Sequence, residues 1–134
     1  MKKRSYVLDS FAVLAYFQAE PSGPTVKDLL NRAKARESVL FLSVINLGEI
    51  VYTVGRKLGD EIADEILHDI LNLPIKLAEA TMDRVLAAAR IKAQYSVSYA
   101  DAFAIALAQE LDAPVLTGDP EFKKVESLIS LVWL

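Results

Sequence analysis

Short apolar runs alternate along this chain with longer segments of helical periodicity, and this alternation constrains the fold more than any other feature. A strand buried on both faces of a parallel sheet is a continuous apolar run. Five such runs predict strands, at residues 6–8, 39–42, 75–78, 114–116 and 128–134. Strands separated by helices predict an α/β domain whose five-stranded sheet is mostly parallel.

The segments between these runs carry helix signals. Apolar residues at helical spacing predict helices over residues 11–17, 25–36, 44–58, 61–71, 81–95 and 99–111. Ser43 and Ser98 are the expected N-caps of two of them, and Asp60 is expected to cap another. Gly59 is expected to end the helix that precedes Asp60.

The length and hydrophobicity of the chain suit a compact α/β domain. We expect residues 1–134 to form one domain with its own core. No apolar run approaches the roughly 20 residues that span a bilayer, so no membrane association is expected. The basic start at residues 1–4 is followed closely by Asp9, which argues against a signal peptide and favours the cytoplasm.

The overall charge is acidic. A net charge of −3 argues mildly against nucleic-acid binding, because proteins that bind nucleic acids usually present a basic face. The objection weakens if the acidic residues bind cations, since two divalent ions would change the net charge from −3 to +1. Cysteine is absent, which excludes disulfides and thiolate metal sites.

Four acidic residues lie where the predicted strands and helices meet. Buried carboxylates are costly unless a cation compensates them. Because strand ends lie at one edge of a parallel sheet, we expect these carboxylates to converge there. An all-carboxylate site suits Mg²⁺ or Mn²⁺, whereas zinc prefers cysteine and histidine. The four are Asp9, Glu49, Asp101 and Asp119.

Each aspartate in this set also has a purely structural interpretation. Asp9 suits an N-cap, Asp101 suits the third position of a capping box, and Asp119 before Pro120 suits a helix start. Glu49 lacks such an interpretation, and the alternative for it is simple exposure to solvent. We expect Gly48 to allow close approach by the first strand or helix, bringing Glu49 near Asp9.

Two hydroxyl residues accompany the acids. Ser10 follows Asp9, and Thr117 precedes Asp119 by two positions. Both are expected to orient the carboxylates or a water molecule from a second shell, with ordinary turn chemistry as the alternative. His68 lies on the polar face of its predicted helix and is expected to be exposed.

Four stretches resemble, in order and spacing, the motifs of the PIN-domain ribonucleases, and most closely those of the VapC-like toxins of toxin–antitoxin pairs. They are YVLDS at 6–10, SVINLGEI at 43–50, YADAFAIA at 99–106 and LTGDPEF at 116–122. The resemblance extends over essentially the whole chain. It implies a three-layer α/β/α sandwich whose metal-binding residues are Asp9, Glu49, Asp101 and Asp119.

The resemblance also implies partners. Members of the family commonly form homodimers and bind a small antitoxin, so both are expected here. Their substrates include transfer, ribosomal and messenger RNA, so the resemblance does not name one. Candidates for RNA phosphate contacts, with ordinary solvated charges as the alternative, are Arg56, Lys57, Lys92, Lys123 and Lys124.

The resulting hypothesis is hydrolysis of an RNA phosphodiester bond with one or two Mg²⁺ or Mn²⁺ ions. No side chain suits a nucleophile, so water attacks and leaves a 5′-phosphate and a 3′-hydroxyl. Asp9 and Asp101 are the expected direct ligands. Glu49 is expected to ligate or to position the water, and Asp119 to act directly or through water.

Other functions compete with this hypothesis. A receiver-type signalling domain requires adjacent acids after the first strand, where this chain has Asp9 followed by Ser10. An Asp-x-Asp phosphatase requires an aspartate two residues after Asp9, where this chain has Phe11. Both are therefore disfavoured. An RNA-processing nuclease without an antitoxin remains an alternative, as does a non-catalytic module that binds metal and RNA or a protein partner.

Overall fold

The computed structural model describes residues 3–134, which contain a single sheet of five strands. Every neighbouring pair of strands is parallel. The order across the sheet is β3-β2-β1-β4-β5, which confirms the predicted five-stranded α/β fold. The strands are β1 (Arg4–Leu8), β2 (Ser38–Ser43), β3 (Ile75–Ala78), β4 (Val115–Thr117) and β5 (Leu131–Trp133).

Helices connect the strands, and side-chain caps begin most of them. The helices are α1 (Ser10–Phe17), α2 (Gly23–Lys34), α3 (Val44–Leu58), α4 (Asp60–Leu71), α5 (Met82–Gln94), α6 (Tyr99–Leu111) and a 3-10 helix (Pro120–Val125). At α1, α3, α5 and α6 a side-chain oxygen accepts a backbone N–H of the first turn, as N-caps do. These N-caps are Asp9, Ser43, Thr81 and Ser98.

Two predicted helix starts are wrong. Helix α2 begins at Gly23 and not at residue 25, because Pro24 is tolerated in a first turn, where its missing N–H costs nothing. Asp60 does not cap α4 but is its first residue. The cap position is Gly59, whose φ of 91° favours glycine and ends α3 there, as predicted.

The last strand is shorter than predicted. β5 covers Leu131–Trp133, whereas the apolar pattern extends over residues 128–134. The Leu128 amide donates to the Val125 carbonyl at 2.9 Å, so Leu128 continues the turn after the 3-10 helix. Leu128 is nonetheless partly buried in the core, which explains why the apolar pattern included it.

The sheet separates two hydrophobic cores, because successive strand residues point to opposite faces. Val7 and Val115 pack in one core with residues of α5 and α6. Leu8 and Leu116 pack in the other core with residues of α1 to α4. The predicted three-layer α/β/α sandwich is therefore confirmed.

The order of the strands reverses beside β1. From β1 the chain builds β2 and β3 on one side, then crosses to build β4 and β5 on the other. In open α/β sheets, ligands bind beyond the carboxyl ends of the strands where the order reverses. In this fold that position lies beyond Leu8 at the end of β1 and Thr117 at the end of β4.

No helix in the described part of the chain has both the length and the apolar character needed to cross a bilayer. Met1 and Lys2, which belong to the basic start at residues 1–4, lie outside the described residues.

Candidate metal centre

Asp9 follows β1 and caps the N-terminus of α1. Its Oδ1 accepts a hydrogen bond of 2.8 Å from the Ala12 amide, and the residue is only 1% exposed. The capping interpretation of Asp9 therefore holds, but the cap occupies only one of the two carboxylate oxygens. The second oxygen, Oδ2, accepts a hydrogen bond from the Thr117 hydroxyl.

Thr117 connects the ends of β1 and β4. Its buried Oγ1 donates to Asp9 and accepts the Asp119 amide at 3.0 Å. Asp119 begins the 3-10 helix as its N-cap, and its Oδ1 accepts the Glu121 amide at 2.9 Å. One hydroxyl thus holds both the Asp9 carboxylate and the backbone that carries Asp119.

Asp101 lies in the first turn of α6, as the capping-box interpretation predicted. The Ser98 Oγ accepts a hydrogen bond of 3.1 Å from the Asp101 amide. Helix α6 packs against both β1 and α3. The first turn of α6 therefore brings Asp101 to the strand end where Asp9 lies.

Glu49 lies in the second turn of α3 and is half-buried. The predicted role of Gly48 is wrong, because a Cβ on that residue would meet no atom within 4 Å. Glu49 approaches the other acids through the packing of α3 against α6, and its charge acts on Asp101. The charges that act on Asp9 are those of Asp101 and Asp119.

The environment of Asp9 disfavours its charged form. Desolvation by burial raises the pKa of Asp9 from 3.8 to about 7. Hydrogen bonds from Thr117 and Ala12 oppose this increase, and the charges of Asp101 and Asp119 add to it.

The pKa of Asp101 is raised by the same kinds of influence. Desolvation, followed by the charge of Asp119, raises its pKa to about 6, and the charges of Glu49 and Glu121 add to the increase. Hydrogen bonding to Ser98 is the influence that lowers it. No cationic side chain stands among the groups that lower the pKa of Asp9 or Asp101. The carboxylates therefore form one electrostatic cluster, and none of the described Lys or Arg side chains is among the groups that act on Asp9 or Asp101.

The oxygen donors of this cluster suit a hard divalent cation such as Mg²⁺ or Mn²⁺. As they stand, however, no three histidine, cysteine or acidic side chains among residues 3–134 are close enough to hold a metal ion. A cation would offset the mutual repulsion of the carboxylates and allow them to approach one another. Their oxygen chemistry therefore fits a divalent cation, and the carboxylates must move closer together to share one.

Asn46 is a site residue that the sequence reasoning missed. It is fully buried, and its Nδ2 donates to Ser10 Oγ at 3.3 Å and to the Ala100 carbonyl at 3.2 Å. Ser10 Oγ in turn donates to the Asn46 carbonyl at 3.3 Å. Ser10 thus contacts α3 rather than a carboxylate. An asparagine in the first turn of a helix gives no local signal of a functional site, so only its burial among the acid-bearing segments identifies it.

Gly118 was also missed. A Cβ at this position would overlap the ring of Phe11, which therefore lies directly against the backbone before Asp119. Phe11 is 40% exposed, so its ring forms part of the rim beside the cluster. The absence of a side chain at Gly118 makes this contact possible.

The predicted phosphate-binding residues are all exposed. Two of them are held near the loop that precedes α6, because Lys92 Nζ donates to the Val97 carbonyl and Lys124 Nζ to the Ser96 carbonyl. Arg56 lies over the Tyr52 ring, 5.2 Å from its centroid. His68 is exposed, as predicted.

Comparison with known proteins gives one family and a set of similar folds. The PIN domain family model matches residues 6–128. No curated protein sequence matches the chain.

Several solved structures share the fold at low sequence identity. The structure of DNA-bound VapBC from Salmonella typhimurium is 16% identical, with a TM-score of 0.76 over 96% of this chain and 97% of that one. VapBC2 from Rickettsia felis, bound to a promoter DNA fragment, is 19% identical, with a TM-score of 0.73 over 96% and 97% of the two chains. VapC20 from Mycobacterium tuberculosis, a toxin that cleaves the sarcin-ricin loop, is 20% identical, with a TM-score of 0.68 over 89% and 92%.

Proposed function

Because the chain belongs to the PIN domain family, we propose that it is an endoribonuclease that requires Mg²⁺ or Mn²⁺ and serves as the toxin of a toxin–antitoxin pair. One observation carries the proposal. The buried Asp9 carboxylate is linked through Thr117 to the segment of Asp119 and lies within electrostatic reach of Asp101. Among residues 3–134, no cationic side chain is among the groups that act on Asp9 or Asp101, which supports an external cation as the neutralising partner.

Each acid has a proposed role. Asp9 and Asp101 are the direct ligands, since both are desolvated at the strand edge. Glu49 ligates as well or orients the attacking water from α3. Asp119 acts directly or through water, as is common around Mg²⁺. Thr117 keeps one oxygen of Asp9 in place by donating a hydrogen bond to it.

The proposed reaction is hydrolysis of a phosphodiester bond. Water attacks phosphorus, the bond from phosphorus to the 3′ oxygen breaks, and a 5′-phosphate and a 3′-hydroxyl result. One or two bound divalent cations would lower the pKa of the attacking water and stabilise charge on the phosphoryl and leaving oxygens. The four carboxylates would hold and orient these ions at the strand ends of one nuclease domain, which we propose spans residues 1–134.

Basic side chains near the cluster would contact the RNA backbone. Lys92 and Lys124 are the better candidates, because carbonyls of the loop before α6 already fix their position. Arg56 on the Tyr52 ring is another, since its charge and the exposed ring lie one to two turns beyond Glu49. Such contacts position RNA without selecting its sequence.

An RNA cleavage assay with Mn²⁺ tests the proposal. We expect total bacterial RNA to be cut to fragments with 5′-phosphates, and EDTA to abolish cutting. Asp101→Asn removes a proposed ligand, and a loss of several kcal/mol of transition-state stabilisation corresponds to at least about a 100-fold lower rate. The matched control is Asp83→Asn, an exposed aspartate in the first turn of α5, which should stay within about twofold of wild type.

Other results would redirect or reject the proposal. Cleavage that survives EDTA or Asp101→Asn would come from another site or from a contaminant. Mn²⁺-dependent RNA binding without cleavage would favour the non-catalytic binding module.

The toxin role requires a partner. Four large apolar side chains are exposed along α3 and α4, which suits contact with an antitoxin helix or a second copy of the chain. They are Tyr52, Leu58, Ile62 and Leu71. The similar VapBC structures contain both a VapC and its VapB partner by name, which supports an antitoxin here. We therefore propose both a homodimer and an antitoxin complex.

Co-expression with the small reading frame beside the gene tests the partner. We expect the two proteins to co-purify and RNA cleavage to stop in the complex. Light scattering of the isolated chain should give the mass of a dimer. An active monomer with no neighbouring antitoxin gene would favour the RNA-processing nuclease.

A further inference from the structure

Asn46 occupies the centre of the segments that carry the acids. It is the third residue of α3, lies three positions before Glu49 and is fully buried. Residues three apart on a helix face the same side. Asn46 and Glu49 are thus presented by α3 toward the same neighbours.

The Asn46 amide joins the other two acid-bearing segments. Its Nδ2 donates to the hydroxyl of Ser10, which follows Asp9, and to the carbonyl of Ala100, which precedes Asp101. The Ser10 hydroxyl donates back to the Asn46 carbonyl. One amide group therefore connects the first turns of α1, α3 and α6, immediately beside three of the four acids.

Stability alone does not account for an amide here. Within residues 3–134, Asn46 Oδ1 is buried and has no hydrogen-bond partner. The desolvation cost of such an unsatisfied acceptor offsets much of what the two Nδ2 hydrogen bonds contribute. A leucine of similar shape would remove both the unsatisfied Oδ1 and the two Nδ2 hydrogen bonds, so its net effect on stability should be small. The distinct contribution of Asn46 is therefore the fixed arrangement of three helix starts.

We infer that Asn46 is a positioning residue for the metal centre, which fixes the first turns of α1, α3 and α6 relative to one another so that the acids carried by these helices can reach one cation. This inference rests on the proposed metal-dependent function. Asn46 does not touch the cation but acts through Ser10 and Ala100, whose neighbours in sequence are Asp9 and Asp101. Outer residues that orient metal ligands typically contribute 10–100-fold in affinity.

The test measures Mn²⁺ affinity by calorimetry and the melting temperature without metal. In Asn46→Leu we expect the melting temperature to stay near that of wild type, while Mn²⁺ affinity falls at least tenfold. The matched control is Ser38→Ala. Ser38 is equally buried and donates to the Leu29 carbonyl at 3.3 Å, but it lies at the start of β2, away from the strand ends that carry the acids. Its Mn²⁺ affinity should remain within twofold of wild type.

The outcomes separate the inference from the proposed function. Wild-type affinity in a folded Asn46→Leu overturns the positioning role alone. An equal loss of affinity in Ser38→Ala also overturns it, because the effect would then follow general stability. Absence of Mn²⁺ binding in the wild type overturns the proposed function itself. If Asn46→Leu does not fold, Ser10→Ala removes only the link to α1, and an unchanged affinity in that variant overturns the inference.

Discussion

Two acidic regions of the molecule have carboxylates whose pKa values shift in opposite directions. On the face of α5 and α6, Glu110 accepts two hydrogen bonds from Arg84, at 3.0 and 2.9 Å, and its pKa is lowered as a result. At the strand ends, Asp9 and Asp101 have raised pKa values and receive hydrogen bonds from amides and hydroxyls only. One region contains its own cation, whereas the other contains only acids.

The difference distinguishes a carboxylate that pairs with an arginine from carboxylates that have only other acids as charged neighbours. Glu110 is exposed and could remain unpaired at little cost, yet the chain places an arginine beside it. Asp9 is buried, where an unpaired charge is far more costly, and no Lys or Arg is among the groups acting on it. Among the described residues, burial and mutual repulsion of the acids at the strand ends are therefore unfavourable. An external cation would offset this unfavourable energy.

The pH dependence of folding stability should show the largest effect of the unpaired acids at the strand ends. Because the folded pKa of Asp9, about 7, lies above its ordinary value of 3.8, protonation favours the folded state. The metal-free protein should therefore lose stability as pH rises from 5 to 8, by up to about 2.7 kcal/mol from Asp9, with Asp101 acting in the same direction. Denaturant titrations at pH 5 and 8 measure this loss.

Saturating Mn²⁺ provides the control for that prediction. It should abolish most of the loss, since the carboxylates then stay ionised. Stability without metal that is flat or rising between pH 5 and 8 would contradict the raised pKa values.

Stabilisation of the protein by Mn²⁺ should depend on the acids at the strand ends and not on Glu110. At 100 times its dissociation constant a ligand adds about 2.7 kcal/mol, which raises the melting temperature by about 5 °C or more in a domain of this size. We expect this shift with Mn²⁺ in wild type and in Glu110→Gln, but not in Asp9→Asn. An equal shift in Asp9→Asn would place the cation elsewhere.

Gly48 and Gly118 each precede an acid of the cluster, and substituting them tests packing beside the cluster without changing any charge. Gly118→Ala places a methyl group against the Phe11 ring and should cost about 1–3 kcal/mol. Gly48→Ala meets no atom within 4 Å and lies inside a helix, so it should add up to about 1 kcal/mol. Chemical denaturation measures both. A neutral Gly118→Ala would mean that the Phe11 ring moves freely away from the cluster.

The Arg84–Glu110 pair should give the smallest effect. Both side chains are partly exposed, and such pairs contribute about 0–1 kcal/mol. Glu110→Gln should therefore lower stability by less than about 1 kcal/mol and leave Mn²⁺ affinity unchanged. A large loss of affinity would remove the distinction between the two regions.

The fold was predictable because its signals are local. Apolar runs gave the strands, and serine and aspartate caps gave most helix starts. The errors arose where two local signals compete, as at Pro24, which suits both a chain break and a first helical turn. At Leu128 the apolar pattern reports burial, and burial does not distinguish a strand from a turn that packs on the core.

The candidate site was less predictable, because its organising contacts join distant segments. Asp9, Asp101 and Asp119 each carry a helix-start signal that is correct, and that signal alone says nothing of convergence. Gly48 and Gly118 illustrate the limit: both precede an acid, but only Gly118 lies against another side chain. Which glycine is needed for packing depends on the tertiary contact with Phe11.

The strand order has a consequence for how the protein is made. A growing chain that has reached β3 carries Asp9 and Glu49, but the neighbour of β1 that brings Asp119 has not yet been synthesised. By inserting β4 late, beside the first strand, the topology delays assembly of the complete acidic cluster until most of the polypeptide has been synthesised.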